Sequence, residues 1–338
     1  MHARSLFVVA ALALPGVGFA QQTWAEKLGW DKGDRVVILH VDDAGMSHDS
    51  NAGTLRSMQQ GSANSTSVMM PCPWVPEWMA SVEDDPSLDV GVHLTLTSEF
   101  KNYCWGPLLG KDAVPGLVDG RGCMWRSVAE VVTNSNPTEV EAEVRAQVRK
   151  AREFGLEPTH LDSHMGTLFA TPEFLDVYLR VGMDEQIPVM FPGGHNTYLR
   201  KQYEADGTPT DALELAVQLA QTVWDGGLPV LDDLHNTSYG WKPAAGEDAS
   251  REEWHEMKVE RYTEALRGLE PGVTMVIMHS TDVSPNFEYV SGSGPTRQGD
   301  TDAMADPRIA QVIEEEGILL TTWRELMARR RAIGSLSR

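Results

Sequence analysis

Short, nearly continuous apolar runs recur along the chain, with stretches of helical periodicity between them. The runs are RVVILHV (35–41), STSVMM (65–70), DVGVHLTL (89–96), PTHLDS (158–163), IPVMF (187–191), LPVLDDL (228–234), GVTMVIMHS (272–280) and GILLTT (317–322). Runs that are apolar throughout, rather than alternating, predict parallel strands covered on both faces. The intervening helices carry end signals. In NPTEVEAEVRAQVRKAREFG, Asn136 stands at the N-cap and Pro137 at the first helical position. Val140, Val144 and Val148 then recur at helical spacing, and Gly155 ends the helix. TPEFLDVYLRVG repeats the logic with Thr171, Pro172 and a stop at Gly182. DALELAVQLAQTVWDGG, SREEWHEMKVERYTEALRGL, DPRIAQVIEEEG and the closing WRELMARRR predict further helices.

Roughly eight strands alternating with helices over about 300 residues predict an α/β fold. The expected architecture is an irregular, TIM-like (β/α) barrel of seven to eight parallel strands, with a doubly wound open sheet as the alternative. No repeat or linker divides residues 21–338, which read as one barrel domain. Two long stretches, 98–136 and 281–305, read as loop insertions over one end of the sheet. The opening MHARSLFVVAALALPGVGFA has a short basic start, an apolar middle too short to span a bilayer, and small residues at Gly18 and Ala20. It reads as a signal peptide, residues 1–20, cut after Ala20, and predicts an exported, periplasmic or secreted protein.

Charge narrows the partners. With 28 basic and 49 acidic residues the net charge is −21, which opposes binding to nucleic acid or anionic membranes. No later stretch predicts stable membrane insertion, and the oligomeric state stays open. The three cysteines are Cys72, Cys104 and Cys123. In an oxidising compartment they predict one disulfide and one free thiol, with all three pairings open.

The polar residues of interest fall at strand ends. Asp42 and Asp43 end the first run, His93 lies in the third, His160, Asp162 and His164 close the fourth, and His279 ends the seventh. Asp232, Asp233 and His235 follow the sixth without a role that spacing assigns. Any one of these alone is ordinary core or turn content. Parallel α/β folds, however, gather strand C-termini on one face, where active sites lie. Carboxylates and imidazoles converging there predict a divalent cation, zinc or a similar metal, with an open position for water. A second carboxylate beside it suits a general base, and a histidine across the site suits a general acid.

These residues resemble a known family. HVDDAGMS, GVHLTLT, PTHLDSH and VIMHS are similar, in that order, to the motifs of the YdjC-like (ChbG/HpnK) carbohydrate deacetylases, over roughly residues 35–325. The resemblance implies an irregular (β/α) barrel, one divalent metal ion, zinc or magnesium, and removal of N-acetyl groups from amino sugars. Carried over by motif, it implies Asp43, His93 and His164 as metal ligands, Asp42 as general base and His279 as general acid. Asp162 becomes a second residue behind the ligands that orients an imidazole. The chain departs from the family at His40, where a small or amide residue is usual, at HMGTLF after the third motif, and at Ser280, where proline is usual. His40 lies on the same strand face as Asp42 and so is a candidate to join the site.

The expected activity is therefore metal-dependent hydrolysis of acetyl groups on an amino-sugar-containing oligosaccharide or glycoconjugate. Trp74, Trp78, Trp105, Trp125 and Trp241, in or near the mouth loops, are candidates to stack on sugar rings. The alternatives are an esterase or non-sugar amidase on the same metal site, and a non-catalytic periplasmic glycan-binding barrel.

Overall fold

The structure, a computed structural model, describes residues 22–336, so the stretch 1–20 read as a signal peptide lies outside the described residues. Among the described residues seven strands form one sheet: β1 (Arg35–Ala44), β2 (Ser65–Val68), β3 (Val90–Leu94), β4 (Leu161–Ser163), β5 (Asp233–His235), β6 (Gly272–Met278) and β7 (Leu319–Leu320). Every pairing is parallel, in the order β4-β3-β2-β1-β6-β5, and β7 adds to β1 at Val36 and Val37. Residues 187–192 fill the wall between β4 and β5. Val189 bridges Leu161, and Pro192 bridges Leu231. The sheet thus curls round as an irregular (β/α) barrel, as the hydrophobic pattern predicts. The run 187–191, expected as a full strand, is reduced to isolated bridges because Pro188 and Pro192 supply no N–H to a ladder.

The apolar core lies between the sheet and its helices. Val140, Val144 and Val148 of helix Pro137–Glu153 share one cluster with Val90, Val92 and Leu94 of β3. Asn136 caps that helix, accepting from the N–H groups of Thr138 and Glu139 at 3.1 Å each. Helix Arg251–Arg267 carries a full capping box between Ser250 and Glu253. Helix Pro172–Glu185 differs from the expectation: it passes through Gly182 and turns at Gln186, which is left-handed at φ 53°. Gly182 serves packing instead, since a Cβ there would sit 2.3 Å from Val189 Cγ1.

Inside the barrel the layers near the mouth are polar. His40 is level with Ser65, and His93 with Asp162, so each pair faces the same way. His160 lies below them, stacked on Trp323 at 5.1 Å and edge-on to His40 at 5.0 Å. Burial holds the His160 imidazole well below its ordinary pKa, which makes it a neutral core residue. Gly91 leaves the space that His160 occupies, because a Cβ there would meet the ring at 2.5 Å.

The two stretches read as insertions both carry secondary structure. Within 98–136 lie a 3₁₀ turn Pro115–Leu117, a helix Val128–Asn134 and the disulfide Cys104–Cys123, while Cys72 is buried and free. Within 281–305, helix Gly294–Met304 packs on helices Arg251–Arg267 and His48–Gln59. Its polar residues face inward: Asp300 accepts from Lys258 Nζ and the Tyr262 hydroxyl, both at 2.7 Å.

Substituting Gly91→Ala should therefore overpack the His160 layer and cost about 1–3 kcal/mol. Thermal denaturation should show a midpoint lower by roughly 2–8 °C. An unchanged midpoint would mean that His160 moves aside freely.

Candidate active site at the barrel mouth

Adjacent residues on a strand point to opposite faces, yet Asp42 and Asp43 both reach the mouth. The reason lies in the backbone. The β1–β2 register breaks between Val41 and Ala44, and Asp43 sits at φ 70°, a left-handed conformation rare for a residue with a side chain. This irregularity swings Asp43 beside Asp42, so that their carboxylates lie 3.4 and 3.9 Å from the same atom, His93 Nε2. Gly45, at φ 81°, then turns the chain away, and its N–H donates to Asn51 Oδ1 at 2.7 Å.

Three donor atoms converge in front of Asp43. Its Oδ1 is 3.4 Å from His93 Nε2 and 3.4 Å from His164 Nδ1, and the two nitrogens are 3.2 Å apart. Donors held tetrahedrally around one zinc-like ion at about 2.1 Å are about 3.4 Å from one another. The outer nitrogen of each imidazole is taken by a carboxylate. His93 Nδ1 meets Asp162 Oδ1 at 2.8 Å, and His164 Nε2 meets Glu99 Oε2 at 3.1 Å. With those N–H groups donated outward, the inner nitrogens, once deprotonated, would present their lone pairs to an ion beside Asp43. Only positive charge stabilises such a convergence. The donor set accordingly fits a divalent cation.

The same carboxylates draw positive charge into the site. Burial alone would lower the His164 pKa, but Glu99 and Asp43 outweigh it and push it up to about 10. His93 is raised in the same way, by Asp162, Asp42 and Asp43 against burial. Burial would raise Asp43, but the Arg297 guanidinium, His164 and His279 hold its carboxyl well below the usual range.

Asp42 occupies the other side of the opening. His40 Nε2 lies 3.0 Å from its Oδ1, and His279 Nε2 lies 3.8 Å from its Oδ2. His40 is wholly buried, with Nδ1 at 3.0 Å from Ser65 Oγ and Nε2 at 3.1 Å from both Ser67 Oγ and Asp162 Oδ2. It stands behind the mouth, bridging Asp42 to Asp162. Burial opposes its charge, but Asp162 and Asp42 raise its pKa to about 9. Burial lowers the His279 pKa, against the pull of Asp43 and Asp42.

Two charged residues escaped the sequence reading. Arg297, on helix Gly294–Met304, places its guanidinium 2.8 Å from Asp43 Oδ2, and Glu99 orients His164 from the 98–136 stretch. Neither contact has a signature in local spacing, since both form across long chain separations. Conversely, the residues after the sixth run are structural. Asp232 accepts from the N–H groups of Trp24, Ala25 and Val273, and Asp233 from that of Tyr198. His235 packs between Tyr198 and Trp241, at 5.0 and 5.3 Å.

The expected aromatic platform does not form. Trp78 and Trp105 are buried, Trp125 donates to the Gly116 carbonyl at 2.7 Å, and Trp241 packs on Tyr262. Trp74 is exposed but lies against His48, at 5.5 Å. These rings fill the insertion and the core because the polar barrel interior leaves apolar packing to its surroundings.

The comparisons with known proteins point the same way. A family model described as YdjC-like protein matches residues 36–315. A carbohydrate deacetylase from Thermus thermophilus is 29% identical over 299 residues, covering 88% of this chain and 96% of its own. One from Thermoanaerobacter pseudethanolicus is 24% identical over 289 residues, covering 86% and 98%. A crystal structure of an Enterococcus faecalis protein, 23% identical, superposes with a TM-score of 0.68 over 87% of this chain and 99% of that one, and so shares the fold. With most of the barrel inside the matched region, the chain belongs to the YdjC-like family.

Proposed function

We infer that this protein is a metal-dependent hydrolase that removes the acetyl group from an N-acetylated amino sugar of an oligosaccharide or glycoconjugate. The observation that carries the reading is the mouth itself: an Asp43–His93–His164 donor triangle flanked by a second carboxylate, Asp42, and a histidine, His279. The names of the similar deacetylases support the substrate class. A divalent ion, zinc or magnesium, held by the triangle would polarise the acyl carbonyl and acidify water.

The chain's own groups divide the remaining work. Asp162 and Glu99 fix the two imidazoles so that their lone pairs face inward. Arg297 holds the second oxygen of Asp43, which keeps that carboxylate ionised. Asp42 accepts the proton of the attacking water at Oδ2, while His40 anchors its Oδ1. His279, 3.8 Å from that Oδ2, delivers a proton to the departing amine nitrogen. An imidazole whose pKa burial has lowered gives up a proton readily. The disulfide Cys104–Cys123 supports the further proposal that the protein works outside the cytoplasm.

Purified protein should hold about one equivalent of divalent metal by elemental analysis, and Asp43→Ala should hold almost none, with loss of acetate release. Metal content well below one equivalent after loading with either ion would overturn the metal reading. Asp42→Asn should keep its metal and lose about 10²–10⁴-fold in kcat on an N-acetylated chitooligosaccharide. Near-normal turnover in that variant would remove Asp42 from the chemistry. Acetate release from O-acetylated but not N-acetylated sugars would move the reaction to ester hydrolysis.

A further inference from the structure

A cleft of about 610 Å³ starts at Asp42 and His279, the pair that flanks the donor triangle. From there it runs between helix Pro172–Glu185 and helix Asp211–Asp225. Its walls are mostly hydrocarbon: Met190, Phe191, Leu213, Leu234 and Ile277 are all buried behind it. Ile277 is level with His40 in the β1–β6 register, so the apolar wall begins beside the polar interior. At the outer rim Met165, Phe169 and Leu215 are 49, 36 and 45% exposed, large apolar side chains that line the same cleft. Met165 sits there by a strained turn: it follows His164 at φ 53°, a conformation a side-chain-bearing residue seldom adopts.

Such walls suit few ligands. A sugar ring presents hydroxyls on every edge, and each one buried without a partner is costly. Away from Asp42 and His279, the polar side chains on the cleft are Ser163, Thr171, Tyr203 and Asn236. An acetyl methyl would leave almost all of the volume unused. A flexible hydrocarbon chain would fill it and cover the exposed rim.

We propose that the enzyme prefers an N-acyl amino sugar whose acyl chain is longer than acetyl, with the chain lying in this cleft. The inference rests on the reading of Asp42 and His279 as the reacting pair. Because those two residues line the cleft themselves, a group inside it lies next to the reacting amide. An apolar aglycone would be set apart from the amide by the sugar. In the reaction the amide C–N bond breaks and the water oxygen bonds to the carbonyl carbon. One water proton passes through Asp42 and His279 to the amine, leaving an amino sugar and a fatty acid, which gives up its remaining proton to solvent.

The test uses metal-loaded full-length protein with N-acetyl-, N-butanoyl- and N-hexanoylglucosamine, and with the octyl glycoside of N-acetylglucosamine, following free amine. Each methylene buried is worth roughly fourfold. The expected result is a kcat/KM that rises at least tenfold from acetyl to hexanoyl. Ala216→Trp, which narrows the cleft, should bring the hexanoyl-to-acetyl ratio close to one. If that variant does not fold, Leu215→Asp at the rim should lower the same ratio. A flat or falling series, or a gain confined to the octyl glycoside, would overturn the proposal while leaving the hydrolase reading intact. If no amide is cleaved, calorimetry with hexanoate and acetate decides the matter. Hexanoate binding at least tenfold tighter, and weakened in the Ala216→Trp or Leu215→Asp variant, supports an acyl cleft, and equal binding overturns it.

Discussion

The mouth of this barrel depends on neutralising three buried carboxylates. Asp42, Asp43 and Asp162 are 7, 1 and 1% exposed and crowd around His93. Buried like charges are tolerated only when each is paired and hydrogen-bonded. Arg297 answers Asp43, and His40, a cation by virtue of its pKa of about 9, answers Asp42 and Asp162 together. The inward faces of His93 and His164 gather the remaining positive charge beside Asp43. Much of the scaffold serves this balance. Ser65 and Ser67 on β2 hold His40, Gly91 makes room for the neutral His160, and Trp323 closes the floor.

His40 illustrates how a departure from a motif acquires a meaning. In the sequence it is an unexplained imidazole before the paired aspartates. In the fold it links Asp42 to Asp162, the carboxylate that holds the outer nitrogen of His93. It is wholly buried and touches the opening only through Asp42, so it shapes the site from behind.

Most of the architecture was legible along the chain. Seven of the expected strands form, because unbroken β-branched runs have few alternatives to a covered sheet. The helix starts at Pro137 and Pro172 were legible for the same kind of local reason. What stayed hidden was non-local or contrary to pattern. GPTRQGDTDAM carries no apolar stripe, so helix Gly294–Met304 gives no periodic signal, yet it is buried through its polar groups. Arg297 and Glu99 meet their partners across more than half and about a fifth of the chain, and nothing near them marks that. The shared mouth of Asp42 and Asp43 required a left-handed residue that the letters DD do not announce. The tryptophans misled because composition shows an aromatic surplus without showing which faces are already covered.

Helix Gly294–Met304 has one more consequence. Arg297 reaches Asp43, and one turn later Asp300 accepts from the backbone N–H of His279 at 3.0 Å while Lys258 and Tyr262 pin its other oxygen. A single helix thus sets the place of Asp43 on one strand and of the opposite histidine on another. In evolutionary terms the two cannot drift separately. A family member that slides or tilts this helix shifts both by the same displacement, so divergence here should run through paired replacements along it. Grafting the strand-end motifs onto another barrel without it would carry over the letters of the site and lose its spacing.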